Sequence, residues 1–207
     1  MKIVNDTIKN NKRIIFNGNN YSKEWETEAK KRGLPNLKST VEALGAFIAD
    51  KNVDLLVRHG IFTKAEIHSR YEIMLEDYSK AINIEALTML DMAKREILPA
   101  CVSYTNDILN SLAMKKASGL AMKNKKEEAL AVKISDLTES LIEKTLLLDT
   151  AVISAKNETD ALSIANFYRN TVFIAMQNLR LVADELETMV SANYWPYPVY
   201  SEILFNI

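Results

Sequence analysis

The chain has 207 residues, of which 48% are hydrophobic and 26% charged, a composition that excludes a disordered or fibrous protein. Its formal net charge of -1 gives no general attraction to nucleic acid or to an anionic membrane, so neither is expected as a partner. A single cysteine, Cys101, excludes an internal disulfide and is typical of a reducing compartment. No apolar run reaches the roughly 18 residues that span a bilayer, and the N-terminal residues lack the apolar core of a signal peptide. We therefore expect a cytoplasmic protein.

Short helices are predicted in the first third of the chain by helix-start and helix-stop signals. Ser39 and Glu42 have capping-box spacing, in which the hydroxyl accepts from an unpaired amide and the glutamate reaches back. Gly33 and Gly60 follow helical patterns at places where a left-handed C-terminal cap is required. Residues 13–16 (Arg-Ile-Ile-Phe) are the only plausible strand, and the run is short. These signals predict helices near 2–11, 22–32, 40–50 and 52–59.

Long helices are predicted in the remainder, near 63–117, 124–155 and 159–192. Thr63 and Glu66 repeat the capping-box spacing at the start of the first, and Asn157 and Thr159 are candidate caps for the third. In the second and third, apolar residues recur at three- and four-residue steps, which buries one stripe of each helix. Pro99 lacks an amide and its ring opposes a carbonyl of the preceding turn, so we expect a kink there. The sequence therefore predicts an all-α fold, a bundle of three long antiparallel helices, the first kinked near Pro99, with several short N-terminal helices.

The C-terminal residues 194–200 (Tyr-Trp-Pro-Tyr-Pro-Val-Tyr) cannot form a regular helix, since Pro196 and Pro198 disfavour helical geometry in the residues before them. A segment this aromatic is expected to lie on an apolar surface, because each ring removes a large apolar area from water. Two interpretations stay open. The tail is either a lid over its own bundle or an anchor on another subunit or an upstream domain.

The motifs of catalysis and cofactor binding are missing from the sequence. No GxxxxGK[ST] or GxGxxG phosphate loop and no GxSxG nucleophile turn occurs. A carboxylate-bridged metal site in a helical bundle needs Glu-x-x-His pairs, and neither His59 nor His68 stands three residues after a glutamate. Cys101 lies among apolar helical neighbours, which favours a buried small hydrophobe over a reactive thiol. We therefore assign no catalytic, cofactor-binding or metal-binding residue.

Polar residues within the most apolar helical stretch, 81–93, are candidate contact residues. Asn83, Glu85 and Asp91 stand in this stretch, and a buried polar group there needs a partner, supplied by interhelical hydrogen bonds or by a neighbouring domain. Because the stretch is apolar on more than one side, it is expected to pack against two layers, the bundle and another domain. The candidate domain or subunit contacts are Asn83, Glu85, Trp195 and Tyr197.

Long and unusual sequence runs stand at several places along the chain. They include FNGNNYSKEW at 16–25, EAKKRGLPNL at 28–37, INIEALTM at 82–89 and YWPYP at 194–198. These runs resemble the segment that follows the catalytic core of type III glutamine synthetases. The resemblance spans nearly the whole chain and is weakest over 110–160.

The resemblance implies a parent enzyme that joins ammonia to glutamate with ATP, through a γ-glutamyl phosphate, using Mg²⁺ or Mn²⁺. The family's metal-binding and phosphoryl-stabilising residues belong to the catalytic core, upstream of Met1, and no position here matches them. It also implies that residues 1–38 are the tail of the catalytic domain and residues 39–207 a C-terminal helical domain. The implied role is noncatalytic, in assembly or in support of the core. The implied partners are the upstream catalytic domain and neighbouring subunits of a homo-oligomer.

Two other classes of function are open alternatives. One is a freestanding helical protein–protein interaction module, although such a module has no reason to begin with the FNGNNYSKEW motif. The other is a small carboxylate–metal enzyme, which stoichiometric iron, manganese or zinc in the purified chain would indicate.

Overall fold

The chain folds into helices joined by short connections. The computed structural model describes residues 2–12, 15–198 and 200–204, and it has no strand within those ranges, so the predicted all-α fold is confirmed. The α-helices are α1 (Lys2–Asn10), α2 (Lys23–Lys31), α3 (Thr40–Phe47), α4 (Asp50–Arg58), α5 (Lys64–Met92), α6 (Leu98–Ala117), α7 (Lys125–Ser154), α8 (Ala161–Phe167), α9 (Phe173–Glu187) and α10 (Tyr200–Leu204). Of the short strand predicted at 13–16, residues 13 and 14 lie outside the described ranges, and the other two are not in a strand.

Capping signals mark several ends of the short N-terminal helices. The Ser39 hydroxyl accepts from the Glu42 amide, and the Glu42 carboxylate accepts from the Ser39 amide at 3.1 Å, which confirms the predicted capping box. The same arrangement starts α5 at Thr63. Left-handed φ angles of 64–74° occur at the three glycines that follow helical patterns, Gly33, Gly60 and Gly119.

The first long helix runs through α5 and α6 with a π-helical turn, Ala93–Ile97, between them. At this turn the Leu98 amide donates to the Ala93 carbonyl, five residues back rather than four. Pro99 follows directly and has no amide to donate, so the regular hydrogen-bond ladder has to be interrupted nearby. Where a kink was expected near Pro99, the structure has a wider helical turn just before the proline. The chain stays helical through this turn.

The third long helix also consists of two α-helical parts, α8 and α9, joined by a π-helical turn at Tyr168–Val172. It starts at Asp160, whose carboxylate accepts from the Ser163 amide at 2.9 Å, so the predicted caps at Asn157 and Thr159 are wrong. The reason is that residues 155–157 form a 3-10 turn that ends the preceding helix. The α-helix ends at Glu187, five residues before the predicted end at 192, because the chain turns there into the aromatic tail.

The three long helices enclose the main core. The middle helix, α7, packs against both α6 and α9, while α5 packs against α8 and the short α3. The largest fully buried side chains of the main core lie on α7 and α9; they are Ile134, Leu141, Leu148, Leu179 and Leu186. A smaller cluster of Val41, Leu44, Leu75 and Ala165 fixes α3 to α5 and α8. The domain boundary at 38/39 stays a prediction.

The outer side of α5 is open to solvent and carries apolar side chains among charged ones. Ile84 is 64% exposed and Leu87 is 49% exposed, and Ile73 lies on the same side about three to four turns earlier. The bundle covers only one side of residues 81–93, so the expected packing of the other side against another domain stays a prediction. None of the helices in the described ranges combines the length and hydropathy needed to cross a bilayer.

Candidate functional site

A groove of about 580 Å³ runs between α5 and α9, next to the π-helical turn of the first long helix. Its floor is apolar and consists of Met89 and Met92 from α5 and Phe173 and Met176 from α9. The unbranched methionine side chains can adapt to the shape of a ligand. The aromatic tail, residues 194–198, contributes Trp195 and Tyr197 to the lining. A concave apolar surface of this volume is large enough to take a small molecule or a side of a helix.

Three of the four predicted contact residues meet in this groove. Glu85, Trp195 and Tyr197 all line it, although Glu85 lies more than 100 positions before the other two. Asn83 does not, since its side-chain oxygen accepts a hydrogen bond from the Tyr168 hydroxyl at 3.0 Å on the neighbouring helix. Of the two partners predicted for Asn83, an interhelical hydrogen bond or a neighbouring domain, the structure shows the interhelical hydrogen bond.

The tail is attached to its own bundle. Trp195 and Tyr197 are half-buried and pack against the main core. The Tyr194 hydroxyl donates to the Asp107 carboxylate on α6, and the Tyr194 ring lies 5.5 Å from the ring of Tyr104. These contacts fit the lid interpretation of the tail. A contact of the tail with another domain stays a prediction.

The hydroxyl of Tyr197 is inside the groove wall. Its oxygen is buried and makes no hydrogen bond of ordinary geometry, although the Glu96 carboxylate lies nearby. Burial, followed by the negative charges of Glu96 and Asp91, raises the pKa of Tyr197 to about 12, because each of them disfavours the phenolate. At neutral pH the side chain is therefore a neutral phenol packed beside carboxylates.

The raised pKa of Tyr197 predicts an alkaline loss of stability. The unfolded chain ionises near the ordinary tyrosine pKa of about 10, whereas the folded chain holds the proton to about pH 12, so folding is progressively disfavoured between these values. Tyr197→Phe is expected to reduce this loss and to leave stability at pH 7 almost unchanged. Urea unfolding at pH 7 and at pH 11 measures both effects. Tyr21→Phe, at a fully exposed position, is the control, and an equal response of the two variants would contradict the prediction.

The rim of the groove carries residues that the sequence did not single out. In the sequence, Asp184 and Glu187 have the spacing of the solvent-exposed side of an amphipathic helix. In the structure, their exposed carboxylates border the apolar floor of the groove. In the sequence, the pattern is typical of hydrophobic-core residues at Met89, Met92 and Met176, since methionine often fills gaps in a core. These carboxylates and methionines recur at helical spacing on two separate helices, which is their only signal in the sequence. They form one surface only because α5 packs beside α9.

Metal ligands, the buried cysteine and the lining of the groove together describe the chemistry available on the described residues. No group of three or more His, Cys, Asp or Glu side chains within the described ranges is placed to hold a metal ion. Cys101 is fully buried, which confirms its predicted packing role, and burial raises the pKa of its thiol to about 11. The groove combines an apolar floor with a negatively charged rim, an arrangement suited to a partner with an apolar side and positive charges.

Sequence comparisons connect this chain with longer proteins. Residues 1–116 match the family model of the glutamine synthetase C-terminal domain. The chain is 40% identical to a glutamine synthetase of Butyrivibrio fibrisolvens, over 100% of this chain and 29% of the relative. It is 34% identical to the type-3 glutamine synthetase of Dictyostelium discoideum, over 99% and 28%, and 30% identical to a glutamine synthetase of Bacteroides fragilis, over 99% and 29%. The chain therefore spans less than a third of the length of these relatives.

Proposed function

The chain belongs to the glutamine synthetase C-terminal domain family, and on that premise we propose that it acts as the noncatalytic C-terminal helical domain of a cytoplasmic glutamine synthetase. The longer enzyme is a ligase that joins ammonia to glutamate with hydrolysis of ATP and uses Mg²⁺ or Mn²⁺. The observation that carries the proposal is the share of each protein that aligns. The alignment covers all of this chain but only 29% of the Butyrivibrio relative.

The role of the domain is to support and assemble the catalytic regions of a homo-oligomer. Two exposed apolar surfaces support this role, the outer side of α5 with Ile73, Ile84 and Leu87, and the groove bordered by Glu85 and Trp195. Apolar area removed from water stabilises a contact by about 25 cal/mol per Å². Contiguous apolar patches beside polar rims are typical of protein–protein contacts. We assign the outer side of α5 to the upstream catalytic domain.

A binding experiment tests this proposal. The purified chain is expected to form no glutamine from ATP, glutamate and ammonia, and to bind the Butyrivibrio fibrisolvens enzyme from which the aligned segment has been removed. The double change Ile84→Asp and Leu87→Asp places two charges on the outer side of α5 and is expected to weaken binding at least about tenfold, since the charges would have to be desolvated.

Leu109→Asp on α6 is the matched control, since Leu109 is also half-exposed but lies outside the proposed contact. Calorimetry measures binding, and phosphate release measures turnover. Glutamine formation by the chain alone would contradict the noncatalytic role. Equal loss of binding in the α5 variant and the control would contradict the proposed contact.

A further inference from the structure

Helix α1 is amphipathic, and its whole apolar side is open to solvent. None of its nine residues is buried; Ile3 is 82% exposed, and Val4 and Ile8 lie exposed on the same side. Lys2 and Lys9 lie on the opposite side at 100° per residue. A helix of nine residues is too short to be stable in water by propensity alone, so α1 requires a surface that covers its apolar side.

The bundle does not supply this surface. Helices α3 to α9 pack against one another, whereas α1 and α2 make no extensive contact with any other helix of the described chain. The only residue that α2 buries is Ala29. The two helices thus form an N-terminal arm outside the main core, and the surface that covers α1 has to come from another part of the protein.

A cluster around Arg32 anchors the chain behind α1. The rings of Phe16 and Trp25 lie 4.7 Å apart, and the Arg32 guanidinium lies 6.0 and 5.9 Å from their centres. Arg32 also pairs with the Glu28 carboxylate at 2.6 Å and donates to the carbonyl of Ile15. These contacts fix the chain at Ile15 and Phe16 to α2, so the arm has an ordered joint a few residues after α1 ends.

We propose that the apolar side of α1 docks on the catalytic region of its own polypeptide. This inference rests on the proposed function, in which that region precedes the helical domain. More than two thirds of the Butyrivibrio relative lies outside its alignment with this chain, and α1 is the first helix of the aligned part. The catalytic region is therefore tethered beside α1, whereas a second copy has to be recruited from solution. The contact makes α1 part of the catalytic body and places the joint between the two domains at the Arg32 cluster.

Charges on the apolar side of α1 test the contact. Calorimetry measures the affinity of the purified chain for the Butyrivibrio enzyme from which the aligned segment has been removed. Ile3→Asp with Ile8→Asp is expected to weaken binding at least about tenfold, since both charges would have to be desolvated. Lys2→Gln with Lys9→Gln is the matched control, because it changes the net charge by the same two units on the opposite side of α1. It should bind like the unchanged chain, and an equal loss in both variants would overturn the proposal.

Hydrogen exchange identifies what covers α1. In the purified chain, the amides of α1 are expected to exchange close to the rate of an unfolded chain, because the helix has no cover there. Bound to the catalytic region, they should exchange at least about tenfold more slowly, while the amides in the middle of α7, already in the core, stay unchanged. Slow exchange of α1 in the chain alone, as a monomer, would overturn the proposal in favour of its own bundle. Self-association that Ile3→Asp with Ile8→Asp abolishes would overturn it in favour of a second copy.

The two sets of variants separate this inference from the proposed function. If the α5 variant loses affinity while Ile3→Asp with Ile8→Asp binds like the unchanged chain, the docking of α1 is wrong and the proposed function stands. If only the α1 variant loses affinity and α1 becomes protected on binding, the docking of α1 is supported and the contact assigned to α5 is wrong. A chain that does not bind the catalytic region at all would overturn both.

Discussion

Replacing Leu141 by alanine is expected to lower the free energy of unfolding by about 2–5 kcal/mol. Leu141 is 0% exposed and lies in the middle of α7, the helix that packs against both α6 and α9. Removing its side-chain carbons loses the transfer free energy of those atoms and leaves a cavity that three helices can only partly close. The loss is a large fraction of the 5–15 kcal/mol that typically stabilises a protein.

Leu147→Ala is the matched control for this prediction. Leu147 lies on the same helix, only six positions later, but its side chain is 52% exposed. Its replacement is expected to change the free energy of unfolding by no more than about 0.5 kcal/mol, as for other surface sites. Urea titrations followed by helical circular dichroism measure both variants. Similar losses in both would show that α7 is not the central helix of the bundle.

The thiol of Cys101 is expected to react with a disulfide reagent at pH 8 about a hundredfold more slowly than an exposed cysteine. Burial raises its pKa from 9.0 to about 11, although a hydrogen bond with Thr138 favours the thiolate, and two units correspond to about a hundredfold less thiolate. The buried position adds a steric barrier that acts in the same direction. In denaturant the rate should rise to that of an ordinary cysteine.

The pH dependence separates the two contributions to the slow reaction of Cys101. Because the thiolate is the reactive form, the native rate should rise about tenfold per pH unit and level off only near pH 11. Ser118→Cys combined with Cys101→Ala supplies an exposed cysteine as the control, and its rate should level off about two units lower. A fast native reaction of Cys101 at pH 8 would contradict the buried packing role.

Much of the fold could be predicted from local signals. The capping boxes at Ser39 and Thr63 and the glycine after α4, Gly60, set helix ends through backbone groups only a few residues away. The apolar stripes of the long helices depend on residue spacing alone. The π-helical turn at Tyr168–Val172 could not be predicted, because no proline or glycine marks it. The Asp160 cap was missed because the preceding helix ends in a 3-10 turn.

The candidate site could be predicted only in part. Glu85 could be identified because a carboxylate is unusual in an apolar stretch. Trp195 and Tyr197 could be identified because aromatic residues that alternate with prolines are unusual. Asn83 stood out for the same reason as Glu85, yet its partner, the Tyr168 hydroxyl, is 85 residues away. The methionine floor and the rim carboxylate of Glu187 carry no local signal, since methionine at helical spacing is also typical of a core.

The sequence by itself determined that this chain is helical, where most helices begin, and which family its motifs resemble, because caps, periodicity and motifs are properties of neighbouring residues. Only the tertiary structure decided which apolar sides are covered. It buries Leu141 and leaves Ile84 and the floor of the groove open, although all of them lie on amphipathic helices. The physical reason is that a helical stripe requires a partner but does not specify which one. The relative placement of three long helices makes that choice.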